Sequence, residues 1–509
     1  MPASSSRLDL VAASTATGMK VLSWAVAAAV VYRQLGEAAF AVLAMTRATL
    51  GLLNYTTFGL GPALTKLVAE AERAPNNEDS SLSDKKPNPV SRGSTSRRSG
   101  GNDDLPATDP DLRLVEPRLA EDVDSQTRRA PILDYRGRRR YWPPLNATRI
   151  PYHQRGSPAS LLTTTNSLLV VMVIAVSVAL FLYSTMYSTV HAVPGRVPDG
   201  IAFLVIFLGL GLFLRLMADA VGGASHALGH VAHDQSFSAA ADLLWIVLLA
   251  APLFYASGMN LGLGWVGGTF FISGLAAYLG RLQFASHVTG WSNRRHATPA
   301  DRTAQKKLLT YGGLVTLGSA ADFLYAPIDY FILNRLVDPL APAVYAPAVQ
   351  IDAAILVLVS AVATVALPSA ARLAAAGDMA GVWRGYLRGS LLAGGIAMAI
   401  ALPAWLLSPW VYTLWLGDDL PATRAILPLV LVHTVLGSAA GVGRATLVAV
   451  GQAKSYAVVV LVGGLVNVGL SLLFVKLGLG INGVVLGTVL SVGLRCLVVL
   501  PILVRVATR

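Results

Sequence analysis

Charged side chains inside long apolar stretches are the residues of this sequence best placed to do chemistry. Lys20, Arg47 and Arg215 stand in its early part; Asp322, Asp329, Asp352 and Arg495 stand in its late part. A charge near the middle of a bilayer costs about 3 kcal/mol or more, so such groups face a wet cavity, a partner charge or a substrate. The early group is cationic. Guanidinium and ammonium donors recognise clustered phosphate oxygens, so Lys20, Arg47 and Arg215 are read as substrate-binding residues lining a path for an anionic head group. Asp322 and Asp352, together with Arg495, are read as an ion-coupling set. A carboxylate held out of water needs a proton, a Na+ ion or a partner cation, and its occupancy can follow conformation.

Each assignment has a plainer alternative. Arg215 and Asp219 lie four residues apart on one helical face and could pair with each other. Lys20 could snorkel to the membrane interface, and Asp322 or Asp352 could pair with Arg495. Asp329 falls only about six residues from the end of its span, beside Arg335, which suits a structural role at the rim. His226, His230 and His233 occur at i, i+4 and i+7, and histidines one turn apart can share a metal. No acidic helix motif accompanies them, so they are read as an interfacial cluster, with no metal or cofactor implied.

The elements that must position these groups are membrane helices. Of 509 residues, 54% are hydrophobic and 13% charged, and the mean hydropathy is +0.58. Apolar runs of about 20 residues recur along the chain, without the alternation of barrel strands. The spans expected are 12–34, 39–68, 159–190, 199–230, 236–257, 263–288, 306–335, 341–372, 387–416, 423–451, 455–476 and 481–506. The fold class is therefore an all-α polytopic membrane protein of about twelve transmembrane helices. Arg and Lys gather on the connections that share a side with the termini, so the positive-inside rule places both termini in the cytoplasm. A single cysteine, Cys496, excludes a disulfide framework and a redox pair.

One long hydrophilic segment, 73–158, interrupts the pattern. It is rich in Pro, Ser, Asn, Asp and Arg, with 16 Lys/Arg against 12 Asp/Glu, and is expected to be a disordered cytoplasmic insertion. Its run Arg136, Arg138, Arg139, Arg140, Tyr141, Trp142 suits an anionic lipid surface or a solvated linker, and no folded module accompanies it to suggest nucleic acid. The expected layout is helices 1–2 in 1–72, the insertion, helices 3–6 in 159–290, a linker over 291–305, and helices 7–12 in 306–509.

Two short similarities relate span n to span n+6. Ala227-Leu228-Gly229-His230 with Gln235-Ser236-Phe237 resembles Ala449-Val450-Gly451-Gln452 with Lys454-Ser455-Tyr456, and Arg33-Gln34-Leu35-Gly36-Glu37 resembles Asn334-Arg335-Leu336-Val337-Asp338. Both imply two six-helix bundles in parallel orientation. Pro327 and Pro347 fall inside spans seven and eight, where they permit kinks.

Asp329-Tyr-Phe-Ile-Leu-Asn-Arg335, Tyr345, Leu367-Pro368 with Arg372 and Gly377-Asp378, Val450-Gly451-Gln452-Ala453-Lys454, Asn467 and Gly480-Ile481-Asn482-Gly483 resemble polysaccharide repeat-unit flippases. Arg33-x-Leu35-Gly36-Glu37 and Phe58-Gly59-Leu60-Gly61 look like the first two spans of that family. It belongs to the multidrug/oligosaccharidyl-lipid/polysaccharide exporter superfamily. The resemblance covers nearly all of the chain except the insertion. It implies two bundles forming a V around a central cavity, alternating access, and an undecaprenyl-pyrophosphate-linked oligosaccharide moved from inner to outer leaflet.

The expected function is thus transport of a polyprenyl-pyrophosphate-linked oligosaccharide across the cell inner (cytoplasmic) membrane for surface polysaccharide synthesis. Membrane lipids, H+ or Na+, and polysaccharide-synthesis proteins docking on the insertion are the expected partners. A cation-coupled multidrug antiporter of the same superfamily is the alternative, for which cavity carboxylates should dominate. An embedded polymerase or ligase is disfavoured by the absence of a nucleophile elbow or phosphate loop and by short outer connections, so no enzyme is expected.

Overall fold

A buried apolar chain must satisfy its backbone internally, and helices do this within one segment. The computed structural model describes residues 3–55, 60, 64–65, 67–68, 132–133, 139–140, 158–191, 199–254, 262–289, 306, 308–309 and 321–509. The insertion expected to be disordered lies outside the described residues, save a two-residue antiparallel ladder of β1 (Ile132–Leu133) on β2 (Arg139–Arg140) and Pro158, which opens a helix.

The first helix, α1 (Ala3–Leu50), is interrupted at Gly36, whose φ of 83° and ψ of 178° suit a residue without Cβ. Along a straight helix Trp24 and Arg47 would stand about 35 Å apart, yet the Arg47 guanidinium lies 4.1 Å from the Trp24 ring centre. The chain therefore reverses at Gly36. Its two arms pack antiparallel, with Tyr32 and Phe40 ring centres 5.6 Å apart; the first corresponds to expected span one, and the second to the start of expected span two, 39–68, giving way to a 3-10 turn at Gly51–Tyr55.

The other helices are α2 (Pro158–Thr185), α3 (Tyr187–Val190), α4 (Ile201–Ala227), α5 (Val231–Phe254), α6 (Leu263–Thr289), α7 (Ala326–Leu336), α8 (Ala341–Ala375), α9 (Met379–Leu406), α10 (Ser408–Leu416), α11 (Pro421–Ala449), α12 (Ala453–Lys476), α13 (Gly480–Gly493) and α14 (Leu500–Ala507). A π-helical turn, Leu494–Val499, joins the last two. Among the described residues, ten helical segments are long and apolar enough to cross a membrane; the first folds back into two crossings, which makes eleven. Expected span seven, 306–335, is described only in part. There a 3-10 turn, Ala321–Leu324, precedes α7, and the expected continuous helix is broken where Pro327 enters the first turn of α7. Pro lacks an N–H and clashes with the preceding turn, so a new helix starts there.

Packing sorts the helices into an N-terminal bundle (α1–α6) and a C-terminal bundle (α7–α14). The tightest N-terminal pair is α4 on α6, where a Cβ on Gly274 would come within 2.5 Å of the Gly211 carbonyl oxygen. Small residues allow that approach where lipid gives helices no hydrophobic reason to associate. In the C-terminal bundle α11 packs on α8, α9 and α13, and α12 packs on α13.

Candidate functional site

Both bundles contribute to a cavity of about 200 Å³. Trp24, Ala28, Phe40, Leu43, Ala44, Arg47, Ala48 and Gly51 line it from the first arm pair, and Pro327, Tyr330, Ala346, Val349, Gln350 and Ala353 from α7 and α8. Liquid water takes about 30 Å³ per molecule, so a phosphate group with its waters fits. Arg47 is the sole charged residue in that lining. Its accessible surface faces the cavity, and the Trp24 face beneath it supplies a cation–π contact. Trp24 is itself wedged against Trp245 and Phe270, at 5.0 and 5.5 Å between ring centres. A guanidinium, an indole face, the Tyr330 hydroxyl and the Gln350 amide together can hold an anionic, hydrogen-bonding group.

The other two expected cations are placed differently. Lys20 is exposed and does not line the cavity, but Trp24 and Ala28 follow it at i+4 and i+8 on the same helical stripe. Arg215 lies behind the cavity wall, 4.5 Å from the Phe270 ring centre, donating to Asp242 Oδ1 and, at 2.9 Å, to Ser273 Oγ. The Arg215–Asp219 pair considered from sequence does not form. Asp219 is instead an acceptor for Arg281, which also forks onto buried Asp234, and Asp234 meets His226 at 2.8 Å. An i,i+4 pair is worth only a few tenths of a kcal/mol, so tertiary partners override it. Asp234, Asp242 and Arg281 were passed over in sequence, although the rule that singled out Arg215 applies equally to them.

In the C-terminal bundle the most enclosed carboxylate among the described residues is Asp329, seven residues from the end of α7. It is fully buried, and accepts from Thr488 Oγ1 at 2.9 Å, Tyr345 hydroxyl at 3.1 Å and Asn467 Nδ2 at 3.3 Å. The Asn467 Oδ1 atom beside it is buried without a partner. Every donor to Asp329 is neutral. Tyr345 stacks edge-on against Tyr330 at 5.1 Å between ring centres, which links the carboxylate to the cavity wall. Asp352, also buried, accepts from Thr434 Oγ1 at 2.7 Å. Arg495 sits 4.5 Å from the Tyr325 ring centre on the π-helical turn, and neither it nor Asp352 joins an ion pair among the described residues. The Asp322 side chain lies outside the described residues. Asn467 belonged to the motifs quoted from sequence, but its meeting with Thr488 and Tyr345 depends on helices far apart in the chain.

Of the histidine cluster, His226 serves Asp234, while His230 and His233 contact Phe284 at 5.9 and 5.6 Å between ring centres. A histidine not singled out from sequence, His191, is buried just after α3. Its Nε2 shares a 2.7 Å hydrogen bond with the Tyr183 hydroxyl and lies 3.4 Å from Thr49 Oγ1, and its ring packs on Tyr187 and on Phe331 of α7. Burial, reinforced by the Arg335 cation, pushes this imidazole down to about 4. The opened or unfolded protein regains an ordinary value near 6.5. His191 therefore contributes stability that is complete above about pH 6.5 and is lost as pH falls through about 4. The melting temperature of the purified protein should drop on acidification from pH 7 to 5, and His191→Gln should flatten that drop.

No family model and no curated protein sequence matches the chain. Solved structures do match over nearly its whole length. An inward-facing multidrug resistance MATE family transporter of the MOP superfamily aligns with a TM-score of 0.63 at 14% identity, covering 96% of this chain and 94% of the other. The outward-facing form of such a transporter aligns at 0.59 with 15% identity, covering 99% and 95%. A MOP superfamily transporter from Pyrococcus furiosus, described as having a binding pocket of reverse polarity that suggests a different function, aligns at 0.60 with 15% identity and the same coverage. The chain has the fold of these MOP superfamily transporters, an all-α multi-pass membrane architecture in two helical lobes.

Proposed function

We propose that this chain is a membrane transporter that moves a polyprenyl-pyrophosphate-linked oligosaccharide from the cytoplasmic to the outer leaflet by alternating access, for surface polysaccharide synthesis. The observation that carries the reading is Arg47, a cation exposed to a cavity that both bundles line, with no carboxylate in the same lining. Lys20, on the Trp24–Ala28 stripe, extends the cationic path toward the terminal face, and Arg215 keeps Trp24 and Phe270 in place from behind. The polyprenyl tail stays in the surrounding lipid while the head group crosses. Both termini lie on the cytoplasmic side of the inner membrane, and the 73–158 insertion is available to synthesis proteins there.

Asp329 is the coupling group in this reading, with Asp352 as its neighbour across Tyr330. A buried carboxylate surrounded by neutral donors, next to a free amide oxygen, takes up H+ or Na+ when its bundle opens to water. Arg495 is then a structural cation on Tyr325. The second reading, a cation-coupled multidrug antiporter, is favoured by the likeness to multidrug resistance transporters. A positive cavity lining argues against organic cations as cargo. Reconstituting the purified chain in liposomes with a fluorescent polyprenyl-pyrophosphate disaccharide tests the choice. Transfer of the probe to the opposite leaflet is expected; transfer of a hydrophobic cation alone would favour the antiporter.

A further inference from the structure

The two bundles touch through a pair of arginines that fall one position apart in the internal repeat, where Arg33 aligns with Asn334 and Arg335 with Gln34. Arg33 ends the first arm of α1 and reaches across to the last carbonyls of α10, donating to Trp415 O at 3.2 Å and Thr413 O at 3.5 Å, and also to Leu414 O. Arg335 ends α7 and reaches the opposite way to the last carbonyls of α3, donating to Val190 O at 2.7 Å and also to Thr189 O. The first arm of α1 is span one and α7 is span seven. The short helix α3 follows span three and α10 follows span nine. Each arginine thus reaches the same kind of short helix in the partner bundle, and the two contacts, donor and acceptor alike, are six spans apart.

Chemistry and location agree on what such a pair does. A helix C-terminus presents unsatisfied carbonyls and partial negative charge, and a guanidinium fork satisfies two or more at once. Both contacts lie on the face of the Gly36 turn, opposite the termini. Trp415 Nε1 donating to Ala25 O at 2.8 Å and the Tyr32 hydroxyl donating to Asp418 at 3.4 Å join the bundles on the same face. Glu37, Asp338 and Asp418 also gather there, with like charges from both bundles. Their repulsion works toward parting what the arginines hold.

We infer that Arg33 and Arg335 form two matching latches that keep this face shut and must both release before the cavity opens to it. The acceptors are neutral carbonyls, so the latch bonds themselves do not depend on a carboxylate partner. Neither latch touches the cavity, so they gate any cargo, and the inference stands apart from the substrate proposed above.

The test is a distance measurement across that face in the full-length protein in nanodiscs. Spin labels go on Gln34→Cys and Asp419→Cys in a Cys496→Ser background, and double electron–electron resonance reads the distribution. A hydrogen bond to a charged group is worth about 1.5–3 kcal/mol, so Arg33→Ala or Arg335→Ala should raise the long-distance population roughly tenfold or more. The double variant should exceed both. Arg33→Lys and Arg335→Lys, which keep the charge and lose the fork, should give smaller shifts in the same direction and fold where alanine does not. An unchanged distribution in folded variants, whether or not their thermal stability falls, would make the arginines plain fasteners and overturn the inference.

Discussion

Arg47→Ala should abolish transport of the lipid-linked saccharide while leaving a folded, membrane-inserted protein. Arg47 rests on Trp24 and points into the cavity without an ion-pair partner among the described residues, so removing it leaves no unpaired charge behind. The loss falls on the substrate, whose phosphate charge would enter an apolar cavity uncompensated. Stripping one partner from a buried charge pair costs about 2–5 kcal/mol, so the rate should fall by about a hundredfold or more. Arg47→Lys should recover part of it, because an ammonium restores the charge and not the planar fork. Initial transfer rates in proteoliposomes, with melting temperature as the control for folding, measure both. In cells, lipid-linked repeat units should accumulate on the inner leaflet and surface polysaccharide should disappear. Lys20→Ala, on the approach to the cavity, should act in the same direction with smaller effect.

Asp329→Asn should uncouple transport from an ion gradient. The amide keeps the size of the carboxylate, and the hydroxyls of Thr488 and Tyr345 can turn to accept where they now donate, so the local packing survives. What is lost is the only fully buried negative charge among these neutral donors. Acceleration by an imposed H+ or Na+ gradient should vanish in the variant and persist in Asp352→Asn at a reduced level. Gradient-driven transfer that is equal in wild type and Asp329→Asn would remove Asp329 from the coupling role.

Much of this architecture was legible because membrane helices are written in long apolar runs. The reversal between the first two spans and the parallel repeat follow from local composition and spacing, and Pro327 signalled a kink where the helix is in fact broken. What the sequence concealed was the choice among partners. Arg215 had Asp219 one turn away, yet it took Asp242 from a different helix, because tertiary packing outweighs a helical neighbour. Depth counted along the chain put Asp329 near the end of its span and gave no sign that α12 and α13 fold over it with Asn467 and Thr488 and bury it. Depth along one helix carries no information about which other helix covers it. Trp24, which seats Arg47, was missed because an indole in an apolar span looks like any other core residue. Its position one turn from Lys20 was the available signal.

The central claim is that the cavity holds an anionic lipid-linked head group through Arg47. Binding measured by tryptophan fluorescence in nanodiscs, with a polyprenyl-pyrophosphate disaccharide titrated against wild type and Arg47→Gln, tests it most directly. Trp24 lies under the guanidinium and serves as the reporter. Saturable quenching by the anionic lipid in wild type, weakened about a hundredfold in Arg47→Gln and not competed by a hydrophobic cation, is the predicted result. Equal binding by wild type and variant, or displacement by the hydrophobic cation, would contradict it.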